Sequence, residues 1–230
     1  MTSEVTTMEF INEFEEENSL LLTGTKNGSV RIWQDYVKNT ARILTAWNAF
    51  DRMVPSKTRS SGLKHCWNAK RRQLWLAGDV HVIRLVDIQQ EQNVLDLPTH
   101  EEACVSCLTR SKDGSMLLAG FGHGIVKMFD PRLPRTSCCV MQRSCSEENL
   151  WVNDVSFNAN EDAVFSIDYY ITESPMSQVL GIGTGGKKRE VQLWSISDRG
   201  LAVRGRFRYM ESFNREQISN PICMHLHPYY

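Results

Sequence analysis

Four stretches of this chain repeat one pattern: an apolar run enters a glycine-bearing tight turn and leaves as an alternating apolar/polar strand. Leu20–Trp33 and Met116–Asp130 show it most fully. Gly24 and Gly28, like Gly120 and Gly124, lie four apart, and Trp33 and Phe129 follow nine after the first glycine. Leu74–Asp87 is one residue shorter through Gly78, and Gln178–Ser195 carries Gly183 and Trp194 with two extra residues in its turn. Period-two alternation after a turn signal, as in Val30-Arg31-Ile32-Trp33, is the mark of a β-hairpin. Asn27-Gly28 is a strong hairpin cue because glycine adopts positive φ without steric cost. Further strands are expected at Val5–Ile11, Cys104–Thr109 and Val152–Phe157, and the best helix candidate is a short one at Ile43–Met53.

Trp33, Val86, Phe129 and Trp194 close the four segments, 53, 43 and 65 residues apart. The middle interval matches the ~40–45 residues of a four-stranded propeller blade. The longer ones require inserted loops, for which Pro55–Gly62 and Ser144–Asn149 have the polar composition. The expected fold is therefore all-β, a β-propeller of about four blades plus a partial one. The approximate blades are 1–45, 46–98, 99–145 and 146–210, and 211–230 starts a further blade, within one domain over 1–230.

Composition narrows the class. With 26 basic and 27 acidic side chains the net charge is −1, which argues against a protein that coats DNA by neutralising phosphates. Glycine (14) and proline (7) are too few for a collagen or a disordered linker among 230 residues. No run approaches the ~18–20 apolar residues that span a bilayer, and the start lacks the features of a secretory signal. The seven cysteines are odd in number and scattered, which fits reduced thiols in cytosol or nucleus better than a disulfide framework.

Val86-Asp87 and Phe129-Asp130, with Trp33-Gln34 and Trp194-Ser195 as degenerate versions, resemble the closing pair of WD repeats. His100 occupies the place of that family's Gly-His signature, while Ala119 and His123 replace its usual Ser/Thr and turn Asp. Longer stretches resemble the C-terminal propeller of the raptor family. They are Met8–Asn12, Gly28–Trp33, Thr45–Ala49, the short turn Ala77–Val80, Ala119–Gly124, and Cys139–Met141 followed by Trp151-Val152. The likeness is close over 5–155, loose over 156–205, and returns in Phe207–Tyr230, especially at His225–Pro228. It implies a seven-bladed propeller and a scaffolding subunit of the nutrient-responsive target-of-rapamycin kinase complex 1. Four hairpins, with a last strand-like run at Ile222–Leu226, then read as a truncated or alternatively spliced form or an incomplete gene model. An unclosed propeller leaves unpaired strand edges, which invite aggregation or pairing.

Chemistry-bearing motifs are few. Gly181-Ile182-Gly183-Thr184-Gly185-Gly186-Lys187-Lys188 nearly matches a phosphate-binding loop, but the alternating Glu190–Trp194 follows it where a helix N-terminus is needed. A hairpin turn is the better reading. Cys104 and Cys107 form a C-x-x-C with His100 upstream and Cys138-Cys139 downstream. Residues three apart on a strand face opposite ways, so buried thiols are expected rather than zinc. The six histidines (His65, His81, His100, His123, His225, His227) lie scattered, no Gly-x-Ser-x-Gly elbow is present, and Asp79 with His81 reads as local turn hydrogen bonding. Nucleophilic triads are spatial, so sequence alone leaves that question open.

Charge clusters occur at Lys57, Arg59, Lys64, Lys70, Arg71 and Arg72 beside Trp67 and Trp75, at Lys187–Arg189, at Arg199, Arg204, Arg206 and Arg208, and, acidic, at Glu13 and Glu15–Glu17. Basic residues among aromatics could grip RNA. Solvated loop charge and partner steering are the commoner roles, and Trp33, Phe129 and Trp194 read as blade core. No catalytic, cofactor-binding or metal residue is assigned, and the partner-binding residues are left unassigned. The reading is a non-enzymatic interaction module without cofactor, nucleic acid, membrane span or small-molecule substrate. By resemblance its partners are the target-of-rapamycin kinase and other complex subunits or substrates, in the cytoplasm and, with the complex, at the lysosomal surface. The alternatives are a generic WD-repeat adaptor, such as one in a ubiquitin ligase, and a small enzyme using the Gly181 loop for a nucleotide.

Overall fold

A computed structural model describes residues 3–11, 20–36, 39–57, 61–144, 150–157, 163–170, 189–197 and 200–208. Every regular element among them is a strand, and the strands form four antiparallel sheets of four, each in chain order. Sheet 1 holds β1 (Val5–Phe10), β2 (Leu20–Thr25), β3 (Ser29–Gln34) and β4 (Arg42–Asn48). Sheet 2 holds β5 (Lys64–Asn68), β6 (Gln73–Ala77), β7 (Val82–Asp87) and β8 (Gln92–Pro98). Sheet 3 holds β9 (Val105–Arg110), β10 (Leu117–Phe121), β11 (Ile125–Phe129) and β12 (Cys139–Ser144). Sheet 4 holds β13 (Leu150–Phe157), β14 (Ala163–Tyr170), β15 (Arg189–Ser197) and β16 (Gly200–Arg208). The chain forms two compact units, 1–105 and 106–230.

Two expectations are corrected. The helix candidate at Ile43–Met53 is the strand β4 followed by a turn, because β3 offers its edge hydrogen bonds from Ser29 to Gln34 and the β-branched and aromatic side chains of Ile43, Thr45 and Trp47 suit a pleated surface. The fourth hairpin does not begin near Gln178: β15 pairs with Ala163–Tyr170, from Ala163↔Ser195 to Tyr169↔Arg189. The glycine anchor at 183 misplaced the entering strand, and Gln178–Lys188 lies outside the described residues, as does Ile222–Leu226.

The repeated glycines do two different jobs. Gly28 and Gly124 have φ of 83° and 85° and turn the hairpins, as the sequence implies. Gly120 instead sits within β10, where a Cβ would meet Cys107 Sγ and Val152 Cγ1 at 2.5 Å each. Its lack of a side chain lets one sheet approach the next.

Within each unit the two sheets bury aliphatic residues between their faces. In the first unit, Leu22, Val30 and Ile32 of sheet 1 pack with Leu63 and with Trp67, Leu74, Leu76 and Val86 of sheet 2. In the second, Leu118, Val126 and Met128 of sheet 3 pack with Val152 and Val155 of sheet 4. Hydroxyls near the first strands reinforce this. Thr6 Oγ1 donates to Leu63 O (3.0 Å), Ser61 Oγ to Val105 O (2.7 Å) and Ser106 Oγ to Val152 O. Each such bond contributes about 1 kcal/mol net.

The fourth strand of every sheet is bulged at one place. The register steps at Ile32/Trp33, Leu85/Val86, Met128/Phe129 and Leu193/Trp194, leaving Leu44, Val94, Val140 and Arg204 as the extra residues. A bulge turns its side chain away from the ladder and twists the edge. That is why the apolar side chains of Leu44, Val94 and Val140 are exposed. The same twist blunts the outer edges against pairing with other strands.

Gly120→Ala is expected to destabilise the fold by about 1–3 kcal/mol through overpacking against Cys107 and Val152. Gly124→Ala acts instead through its positive φ. Urea unfolding followed by tryptophan fluorescence measures both.

Candidate functional site

In the first unit, four connections gather at one end of the sheets: the β2–β3 turn, the β4–β5 loop, the β6–β7 turn and the β8–β9 loop. The β4–β5 loop is the long one, and two segments of it are strapped to the β6–β7 turn. Pro55 bridges Val80, and Ser56 N–H donates to Asp79 O at 2.9 Å. The Asp79 carboxylate accepts Ser61 N–H on Oδ1 (2.6 Å) and Gly62 N–H on Oδ2 (3.1 Å). Gly78 has φ 141°, and a Cβ there would sit 2.0 Å from Gly62 O, so only glycine admits the loop this close. Asp79 thus bonds 17–18 residues back along the chain. Reading it as a local turn acceptor is corrected, since its carboxylate bonds the amides of the preceding loop.

The β8–β9 loop is tied to the same turn. Thr99 N and Oγ1 both donate to His81 O at 3.0 Å, and Val105 N–H donates to Gly78 O at 2.9 Å. His81 Nδ1 lies 2.6 Å from Glu101 O; a carbonyl only accepts, so Nδ1 carries the proton. Lys57 Nζ reaches Glu102 Oε1 at 2.7 Å, and its N–H donates to Glu102 O. The Lys57 ammonium holds the Glu102 carboxyl below its ordinary range. His100, expected as the WD signature histidine, is exposed with φ 55°.

One polar cluster escaped the sequence altogether. Thr7 and Glu9 of β1 flank His65 of β5, with His65 Nε2 2.6 Å from Glu9 Oε2 and Thr7 Oγ1 against His65 Nδ1. With Nε2–H donating to the carboxylate, Nδ1 accepts from the threonine hydroxyl. Hydroxyl, imidazole and carboxylate stand in the order of a triad, but the imidazole is only 6% exposed, sealed between the two strands. The geometry fits a clasp between neighbouring sheets. Three residues from two strands 58 positions apart leave no sequence signal.

The remaining candidates separate. Cys104 and Cys107 are both buried; Cys107 Sγ contacts Val152 O at 3.8 Å, and burial pushes the Cys104 thiol up to about 11. Among the described residues no three His, Cys, Asp or Glu side chains are placed to hold a metal ion. Trp67 and Trp75 are buried, so the exposed Lys70, Arg71 and Arg72 of the β5–β6 turn have no aromatic platform beside them on which to stack bases. Trp33 is half-buried with Nε1 donating to Thr23 Oγ1 at 2.9 Å, and Phe129 is fully buried. The Gly181–Lys188 loop, the acidic run at 13–17, Arg59, Arg199, His225 and His227 lie outside the described residues. Among those described, no helix is long and apolar enough to cross a membrane.

Comparison with known proteins gives this surface a context. The WD domain, G-beta repeat family matches residues 91–130. Target of rapamycin complex 1 subunit mip1 of Schizosaccharomyces pombe is 26% identical over 254 residues, across 100% of this chain and 19% of that protein. Target of rapamycin complex 1 subunit KOG1 of Saccharomyces cerevisiae is 34% identical over 157 residues, across 66% of this chain and 10% of that protein. The crystal structure of Chaetomium thermophilum Raptor superposes with a TM-score of 0.70 at 23% identity, covering 91% of this chain and 17% of that one. The chain is related to raptor. Its sheets are WD-repeat propeller blades, and it spans a fifth or less of the length of these raptor-type relatives.

Two outcomes follow for the raptor-related chain. Asp79→Ala should cost about 3 kcal/mol, since two buried-side amides lose a charged acceptor, and native-state hydrogen exchange at Ser61 and Gly62 should accelerate. Cys104 should resist iodoacetamide at pH 8, where a thiol titrating near 11 is about one-thousandth thiolate, and react readily once urea unfolds the chain. Mass spectrometry of the labelled peptides reads the difference.

Proposed function

We propose that this chain is a non-catalytic interaction module of a raptor-like subunit in target of rapamycin complex 1. In that role it supports kinase-complex assembly and nutrient-responsive control of growth. The observation that carries the reading is the extent of the likeness. The WD family accounts for 40 residues, whereas the fission-yeast complex subunit matches 100% of the chain.

The geometry supplies the physical means. Rigid sheets present loops, and loops on a rigid scaffold are where partners dock. Here Ser61 and Gly62 of the β4–β5 loop, and the β8–β9 loop, are tied in place by Asp79, His81 and Thr99, so little ordering entropy is lost there when a partner binds. Exposed charges of both signs, such as Lys57, Glu102, Asp51 and Arg52, give that end a mixed polar rim. The target-of-rapamycin kinase and its fellow subunits are the proposed partners, met in the cytoplasm and carried with the complex to the lysosomal surface.

A tagged chain, shown by circular dichroism to be folded, is expected to recover the target-of-rapamycin kinase from cell lysate, detected by mass spectrometry. A folded chain that recovers neither the kinase nor any complex subunit overturns the proposal.

A further inference from the structure

Lys26, Arg42, Lys57 and Arg84 of the first unit each have an acceptor, respectively Glu4, Gln34, Glu102 and Asp96. The β5–β6 turn is different. Lys70, Arg71 and Arg72 follow one another, all three are exposed, and no carboxylate among the described residues pairs with them. The turn that carries them is held firmly. Asn68, 1% exposed, accepts Arg71 N–H on Oδ1 at 3.3 Å, and Ala69 O accepts Arg72 N–H at 3.4 Å. Ala69 packs on the apolar core between sheets 1 and 2, and the Asn68↔Gln73 pair closes the hairpin. Arg72 has φ 53°, a conformation that glycine or asparagine would take at less cost. Three like charges are thus kept side by side on a short fixed turn, where they repel one another.

We infer that the β5–β6 turn docks an acidic segment of a partner protein, a run of Asp and Glu side chains in extended chain. The turn lies at the end of sheet 2 opposite the strapped loops, because successive hairpins of an antiparallel sheet alternate ends. Guanidinium groups take carboxylates two oxygens at a time, and two adjacent arginines with a lysine offer this to successive acidic side chains. The surroundings separate a peptide from broader polyanions. The β7–β8 turn stands two strand spacings away, about 10 Å, and carries Asp87 and the exposed Glu91. A flat anionic membrane touching the basic turn would press against those carboxylates, whereas a single extended chain passes clear of them. Nucleic acid gains nothing from stacking here, since Trp67 and Trp75 are buried. The inference rests on this turn alone and stands whether or not the scaffold reading does.

The probe is a fluorescein-labelled hexaglutamate peptide, read by fluorescence anisotropy with the 230-residue chain at low salt. Saturable binding is expected, and it should fade as salt is added because exposed ion pairs are screened. Arg71→Gln and Arg72→Gln should each weaken it about two- to fivefold. Arg135→Gln removes the same charge from an exposed site in the second unit and should leave binding unchanged. A second measurement reverses the charge: Lys70→Glu, Arg71→Glu and Arg72→Glu together should abolish hexaglutamate binding and confer binding of hexalysine. Circular dichroism checks that every variant keeps the fold of the parent chain. No binding of hexaglutamate, or an equal loss with Arg135→Gln, overturns the inference. Phosphatidylserine vesicles that bind as tightly, and through Arg71, would assign the turn to a membrane and also overturn it. Binding that appears only after Glu13, Glu15, Glu16 and Glu17 are changed to glutamine would assign the turn to the chain's own acidic run, with the same consequence.

Discussion

A four-stranded sheet this small cannot bury both its faces by itself, and the rest of the structure follows from that constraint. Each sheet must lay one apolar face on a neighbour, and the approach is close enough that a single Cβ matters. Gly120 stands where a methyl group would overlap Cys107 and Val152. Around that contact the polar groups fall into line. Thr6, Ser61 and Ser106 send hydroxyls to carbonyls further along the chain, and the Thr7–His65–Glu9 clasp adds charge-assisted bonds where sheets 1 and 2 meet. Apolar burial drives the packing, and the hydrogen bonds fix its register.

Packing the sheets face to face leaves their outer strands open to solvent, and the chain meets this the same way in all four. One extra residue opposite the closing Trp, Val or Phe twists each outer strand. The exposure of Leu44, Val94 and Val140 goes with these bulges.

The loop end shows how connections between sheets are held in shape by hydrogen bonds to a neighbouring turn. Asp79 holds two amides of the β4–β5 loop, and the β8–β9 loop hangs from the backbone of His81 and Gly78. Each tie joins residues about 17–27 positions apart, so the loops are fixed by tertiary contacts rather than by their own turn chemistry.

The strands, the hairpin turns at Gly28 and Gly124, and the blade-like grouping were legible in the sequence because they rest on local rules. Alternation sets the faces and positive φ selects glycine. The long likeness to raptor was legible for a similar reason, since whole stretches such as Gly28–Trp33 carry it. What tertiary structure decided is everything that depends on a partner distant in the chain. Ile43–Met53 has a pattern that serves helix or strand, and the free edge of β3 settled it as strand. The partner of β15 lay beyond a connection whose length no hairpin rule supplies. The roles of Asp79 and His65 required knowing which distant segments lie beside them. A residue's own sequence neighbours fix where its side chain points, and only the fold fixes what it meets there.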